Sequence, residues 1–306
     1  MAELIGQGNG EAAGPALERG PCVDRALLRK MYPYADALVR VGYFSVDVVG
    51  GEHIPREGRF DFAPNHAGWF PLDGFVLGYA VTQAIGLERL PMFAVHDAAL
   101  AAPVLGRFLR RCGALPASWF RRPERLPQDI ESLVIFPEGA RGNTKPFWEA
   151  YRMREWSRGF VRTAIARGSS IVPVALLGTE ESMPVAWQLK AVEPLLGAAI
   201  GIPLAPLPLP ARFKVVFHEP IPMSRYGPDK LTDSAFCTAM AKRIQSTVQA
   251  TLDRHAAEYP LGVFSAAVHG IQLPASASSA ASPRRAPRSW RGRRRTAARP
   301  PKSTHH

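Results

Sequence analysis

The sequence predicts an α/β fold: a single domain on a mixed, largely parallel sheet flanked by helices. Three observations carry this expectation. Ser132-Leu133-Val134-Ile135-Phe136 and Ile171-Val172-Pro173-Val174-Ala175 are short, β-branched or aromatic runs, the pattern of strands buried on both faces. Segments of helical spacing alternate with such runs, among them residues 156–167, closed by Gly168-Ser169-Ser170. Polar clusters follow the strands directly, where open α/β sheets gather their ligands.

In chain order, residues 1–20 are Gly- and Ala-rich, with no basic start leading into an apolar core, and are expected to be a disordered leader rather than a secretory signal. The folded domain is expected over 21–260. An amphipathic helix over about 24–41 sets Leu27, Leu28, Met31, Tyr32, Ala35, Leu38 and Val39 among Arg25, Arg29, Lys30 and Arg40, with Pro33 expected to interrupt or kink it. Such a helix fits a membrane surface or the side of the core. A core follows over about 43–225. It begins with the alternating strand 43–49 and the strand that ends at Pro64. Residues 74–87 are apolar but too short to cross a bilayer. A strand is expected over 91–95 and a short helix over 103–113 carrying Arg107, Arg110 and Arg111. His96-Asp97 is a poor dyad, because neighbours on an extended chain point to opposite faces.

Residues 192–211 are the most membrane-like stretch, yet five prolines from Pro194 to Pro210 forbid a regular spanning helix. An apolar loop in the interface, or over a lipid entrance, is expected there. Strand 213–217 and a helix over about 233–255, with Phe236, Met240, Ile244, Val248 and Leu252 along one stripe, complete the domain. The Ala/Ser/Pro/Arg composition toward the end predicts a disordered basic tail over 261–306.

The 38 basic against 26 acidic residues would raise nucleic acid or anionic lipid as partners, but nine of the twelve excess charges follow Pro283, so the folded part is only mildly basic. Trp290 is the only Phe, Trp or Tyr after Pro283, which argues against base stacking. Cys22, Cys112 and Cys237 form neither a disulfide nor a metal pattern and fit a reducing compartment. No His pair has ligand spacing for a metal.

Two clusters carry chemistry: Asn65-His66-Ala67-Gly68-Trp69-Phe70-Pro71-Leu72-Asp73 and Phe136-Pro137-Glu138-Gly139-Ala140-Arg141. A neutral imidazole suits removal of a hydroxyl proton near pH 7, so His66 is the candidate general base. A carboxylate on its other ring nitrogen would fix the tautomer, and Asp73 is placed for that. Arg141 offers a planar fork to a phosphate, and Gly139 lets backbone approach it.

With the Arg-bearing block Gly106–Gly113 and Ile171-Val172-Pro173-Val174, these clusters resemble the four ordered blocks of the glycerophospholipid acyltransferase family, which includes lysophosphatidic acid acyltransferases. The resemblance covers roughly residues 25–225. One departure is that six residues, rather than four, separate His66 from Asp73, and the Pro71-Leu72-Asp73 ending is similar to the diacylglycerol-acyltransferase-like branch. The resemblance implies catalysis by His66 and Asp73. It implies substrate contacts by Asn65, Arg110, Glu138, Gly139 and Arg141, with Pro173 in a pocket wall. It does not single out one of Arg107, Arg110 and Arg111; Arg110 is the candidate.

The expected activity is transfer of a fatty acyl group from acyl-CoA or acyl carrier protein, as co-substrate with no cofactor, to the hydroxyl of a lysophospholipid such as lysophosphatidic acid. The setting expected is phospholipid biosynthesis at the cytoplasmic face of a membrane, as a peripheral protein. A neutral acceptor (monoacylglycerol, diacylglycerol or a long-chain alcohol) is the alternative within the class. A non-catalytic protein binding anionic membrane or nucleic acid is the alternative outside it.

Overall fold

The computed structural model describes residues 23–69, 71–196 and 199–273; the expected leader and most of the expected tail lie outside the described residues. Ten strands are present among them: β1 (Phe44–Val49), β2 (Phe60–Pro64), β3 (Met92–Val95), β4 (Ala114–Pro116), β5 (Ser132–Val134), β6 (Ser170–Leu177), β7 (Val185–Leu189), β8 (Ile200–Pro203), β9 (Ala211–Phe217) and β10 (Ile221–Pro222). The helices are α1 (Arg25–Arg40), α2 (Leu72–Ile85), α3 (Asp97–Ala101), α4 (Pro103–Arg111), α5 (Ala140–Asn143) and α6 (Gly159–Arg167), followed by α7 (Thr179–Ser182), α8 (Glu193–Leu196), α9 (Pro228–Thr232), α10 (Ser234–Ala256) and α11 (Pro260–Val268).

The main sheet runs β1-β9-β6-β2-β5-β3-β4, with β10 beside β6 and a separate β7–β8 pair. All contacts along that order are parallel except β6–β9. The fold is therefore α/β on a mixed, mostly parallel sheet. β2 and β6 are buried almost throughout because helices cover both faces. Strand alternation divides β6 between them: Val172, Val174 and Leu176 face Val76, Leu77, Ala80 and Val81 of α2. Ile171, Ala175 and Leu177 face Phe160 and Val161 of α6 and the Ile244–Val248–Leu252 stripe of α10.

Four expectations need correction. The domain does not end at 260: α11 packs Ser265 and Ala266 inward, and Phe264 stacks on Phe147 at 5.8 Å between centroids. Gly262 lies so close to the Ala256 carbonyl that an added Cβ would sit 2.2 Å from its oxygen. Pro33 does not end α1, since it lies on the exposed side, where water can satisfy the carbonyl it leaves unpaired. Part of the proline-rich stretch is strand rather than loop: β8 pairs antiparallel with β7, Trp187 opposite Ile202 and Leu189 opposite Ile200.

Pro173 is the fourth. It lies inside the sheet, paired with Ala63 of β2, buried and lining neither cavity described below. The sheet tolerates it because it falls where the second neighbour of β6 changes. β10 pairs with Ser170 and Ile171, β9 pairs from Val174 onward, and the missing N–H coincides with the gap.

Candidate active site

The site forms where β2 ends. Ladder pairing with β6 stops at Val174, and the Asn65 side chain continues it, donating to the Leu176 carbonyl (3.0 Å) and accepting from the Leu176 N–H (2.7 Å). This turns the chain off the sheet and presents His66. Gly68, at φ +74°, then passes so close to Thr179 that a Cβ would lie 2.5 Å from its carbonyl oxygen, so the return toward α2 requires glycine.

Asp73 sits in the first turn of α2, where free amides favour a carboxylate. Its Oδ1 accepts from Gly74 N–H (2.8 Å), and Oδ2 accepts from Ala67 N–H (3.2 Å) and from Nδ1–H of His66. The imidazole stacks on Phe136, centroids 4.1 Å apart and planes 25° from parallel. Tautomer and plane are thus both fixed, leaving Nε2 as the ring nitrogen able to take a proton. The two extra residues in the spacer do not prevent the pairing.

Beneath the dyad lies a buried polar cluster. Glu138 receives the His66 backbone N–H on Oε1 (2.9 Å) and the Arg154 backbone N–H on Oε2 (2.7 Å). Lys145, also buried, places Nζ 3.7 Å from Glu138 and 3.6 Å from Glu180 while donating to the Arg152 carbonyl. Burial pushes the Glu180 carboxyl above its ordinary range, and Lys145 opposes the rise. Gly142 completes the packing: a Cβ there would lie 2.5 Å from His66 Cβ and 2.8 Å from Glu138 Cβ.

Two cavities meet at the site. One, of about 820 Å³, is walled mainly by apolar residues of α1, α2 and the strand ends, with His66 and Asp73 in its lining. The other, about 780 Å³, carries Arg141, Arg154 and Lys190. His96, Phe136, Gly139, Ala140, Thr144, Ser157 and Ala199 line both. The arrangement sets the oriented imidazole in the wall of an apolar pocket that opens onto a polar one, which holds Glu138 and Glu193 besides its three cations.

Residues 45–177 match a family model described as Acyltransferase. The chain thus carries a domain of the acyltransferase family. Its relatives include uncharacterized proteins of Mycobacterium tuberculosis (strain H37Rv) and Mycobacterium bovis, each 32% identical over 223 residues, covering 69% of this chain and 62% of the relative. One of Mycobacterium leprae is 32% identical over 222 residues, covering 69% and 60%. The chain thus spans less than two thirds of these relatives. Among solved structures, the 1-acyl-sn-glycerophosphate acyltransferase PlsC of Thermotoga maritima shares the fold at TM-score 0.50 and 16% identity, over 75% of this chain and 80% of that one.

Within this acyltransferase domain, His66 and Asp73 line the apolar cavity, Arg141 lines the second and Gly139 lines both. Asn65 does not; it is a strand-end clamp lining neither cavity, because both ends of its amide are used by Leu176. Glu138 borders the second cavity, but its oxygens are committed to two backbone amides, which makes it a positioning residue. Arg107 and Arg110 are exposed on α4 and line neither cavity, while Arg111 pairs with Asp24 at 2.8 Å. His96 and Asp97 do not pair. His96 Nδ1 caps α3 by accepting from Ala98 N–H, and Asp97 accepts from Ser118 N–H. Lys145, Glu180, Gly142 and Arg154 escaped the sequence, because nothing in their local pattern marks them as buried partners.

Proposed function

We propose that the protein is an O-acyltransferase that moves a fatty acyl group from a thioester, acyl-CoA or acyl carrier protein, to the hydroxyl of a lysophospholipid such as lysophosphatidic acid. The observation that carries this reading is the His66–Asp73 pair in the wall of an apolar cavity that shares Phe136, Gly139 and Ala140 with a polar cavity holding Arg141. Nε2 of His66 takes the acceptor hydroxyl proton as the oxygen attacks the thioester carbonyl. Asp73 steadies the imidazolium that forms. The tetrahedral intermediate then expels the thiolate, which receives the proton back from Nε2, giving ester and free thiol. The apolar cavity takes the acyl chain, and Arg141 takes the acceptor phosphate through its planar fork.

Such acceptors live in membranes, so the protein would work as a peripheral enzyme of phospholipid biosynthesis on the cytoplasmic face. Among the described residues no helix is long and apolar enough to cross a bilayer. A neutral acceptor is the second reading, favoured by Pro71 and Leu72 of the diacylglycerol-like ending, which line the apolar cavity beside Asp73.

The test is release of free thiol from palmitoyl-CoA by purified protein with lysophosphatidic acid, monoacylglycerol or no acceptor. Release that requires lysophosphatidic acid supports the proposal, and release with monoacylglycerol alone transfers it to the neutral acceptor. Acceptor-independent release would mean a thioesterase and would contradict both.

A further inference from the structure

The β7–β8 pair carries an apolar face with no cover among the described residues. Trp187 and Leu189 of β7 stand opposite Ile202 and Ile200 of β8, and all four side chains are exposed, Trp187 to 65%. The patch continues into the segment that follows β8, where Leu204 is 64% and Leu207 71% exposed. Residues 194–211 contain no charged side chain. A contiguous apolar surface of this kind on a folded domain marks an interaction site.

Three observations identify the occupant. First, the patch borders the mouth of the apolar cavity: Leu38, Phe75 and Ile200 each line that cavity and are also exposed. Second, the patch joins the C-terminal end of α1, because the Tyr43 hydroxyl donates to the Pro208 carbonyl at 2.7 Å. There Tyr34, Leu38 and Val41 are exposed as well. Third, the charge beside the patch is mildly positive: on α1, Lys30 stands with Arg25 and Arg29, which share Glu88, and with Arg40, which pairs with Asp36, while Lys190 and then Glu193 follow β7. Apolar side chains flanked by Trp, Tyr and cations match the headgroup–acyl boundary of a bilayer.

We propose that the exposed face of the β7–β8 pair, with residues 204–209 and the end of α1, inserts into an anionic membrane leaflet and sets the cavity mouth against the acyl region. The orientation of the mouth rests on the acyltransfer reading; the insertion itself does not. The face is coupled to the catalytic loop, since the Trp69 indole N–H donates to the Gly201 carbonyl at 2.7 Å and the Trp69 backbone N–H to the Met183 carbonyl at 3.1 Å.

The experiment uses the full chain and flotation with vesicles of phosphatidylcholine and phosphatidylglycerol, containing neither donor nor acceptor. It is run at low salt and at about 1 M, where the Debye length is about 3 Å and surface attraction is screened. The wild type is expected to retain partitioning at high salt. The double variant Trp187→Ser/Leu207→Ser should lose at least about tenfold of it with its thermal midpoint unchanged. Brominated phospholipid should quench fluorescence in the wild type and measurably less in Trp187→Phe.

Equal partitioning of the serine variant and the wild type would overturn the proposal. So would wild-type binding that vanishes at high salt, or self-association abolished by the serine pair without vesicle binding, which would make the occupant a second copy. Thiol release is measured separately: a protein that inserts but transfers nothing keeps this surface and loses the acyltransfer reading, and the reverse result does the opposite.

Discussion

The loops around His66 and the β7–β8 pair lie side by side and are built by opposite rules. Around His66, buried polar groups are paired across the fold: Asn65 with Leu176, Glu138 with His66 and Arg154, Lys145 with Glu138, Glu180 and the Arg152 carbonyl. In the β7–β8 pair, large apolar side chains face outward. Removing one partner from a buried network leaves the others desolvated and unpaired, so the first region is intolerant of change. Trimming an exposed Trp or Leu costs the folded state little, so the second is free to serve whatever covers it. Rigidity is concentrated where a proton must be placed within tenths of an ångström, and unsatisfied surface where a substrate arrives.

This contrast is broken most directly by Lys145→Met. The variant leaves Glu138 and Glu180 buried without their cation, and the expected loss is about 3–5 kcal/mol in chemical unfolding. A loss near zero would mean the cluster is wetter than its burial implies. Next is Gly142→Ala, whose new methyl would overlap His66 Cβ and Glu138 Cβ. Overpacking of about 1–3 kcal/mol is expected, with a fall in turnover larger than any change in KM, because the imidazole itself is displaced.

Glu181→Gln is expected to have a smaller effect, and its sign depends on pH. Burial raises the Glu181 carboxyl to about 7 from an ordinary 4.5, with the Tyr151 hydroxyl donating to it and partly offsetting the rise. The folded chain therefore keeps this proton to higher pH than the unfolded chain does. The stability this gives is full below about pH 4.5 and is lost as pH rises through about 7. Thermal midpoints of the wild type should decline across that window, and Glu181→Gln should flatten the decline. Above pH 7 the variant should gain on the order of 1 kcal/mol relative to its acid-side difference from wild type. Smallest of all, the serine substitutions at Trp187 and Leu207 should leave stability within about 0.5 kcal/mol.

The sequence was most legible where chemistry depends on neighbours in the chain. His66 and Asp73 flank one short loop, and the strand-end position of both motif clusters follows from the apolar runs before them. Asn65 and Glu138 were visible as residues but not in role, because the groups they bind lie 111 and 72 positions away from their partners in sequence. Lys145 and Glu180 look like ordinary surface charges until the fold buries them against each other. α11 was hidden by composition, since Ser265-Ala266-Ala267 blends into the Ala/Ser-rich segment that follows. The prolines around β8 masked a strand whose ladder they leave largely intact, with Pro203 at its end. Pro173 misled in the other direction: a proline in a strand suggests an edge, yet here it marks an exchange of partners inside the sheet.

In the proposed reaction His66, oriented by Asp73, is the base for acyl transfer. The most direct measurement compares the acceptor-dependent rate of thiol release from palmitoyl-CoA for His66→Ala and wild type, both shown to be folded by their circular dichroism. A loss of about 100- to 10,000-fold is predicted. A His66→Ala protein that transfers at close to the wild-type rate would mean that His66 is not the base.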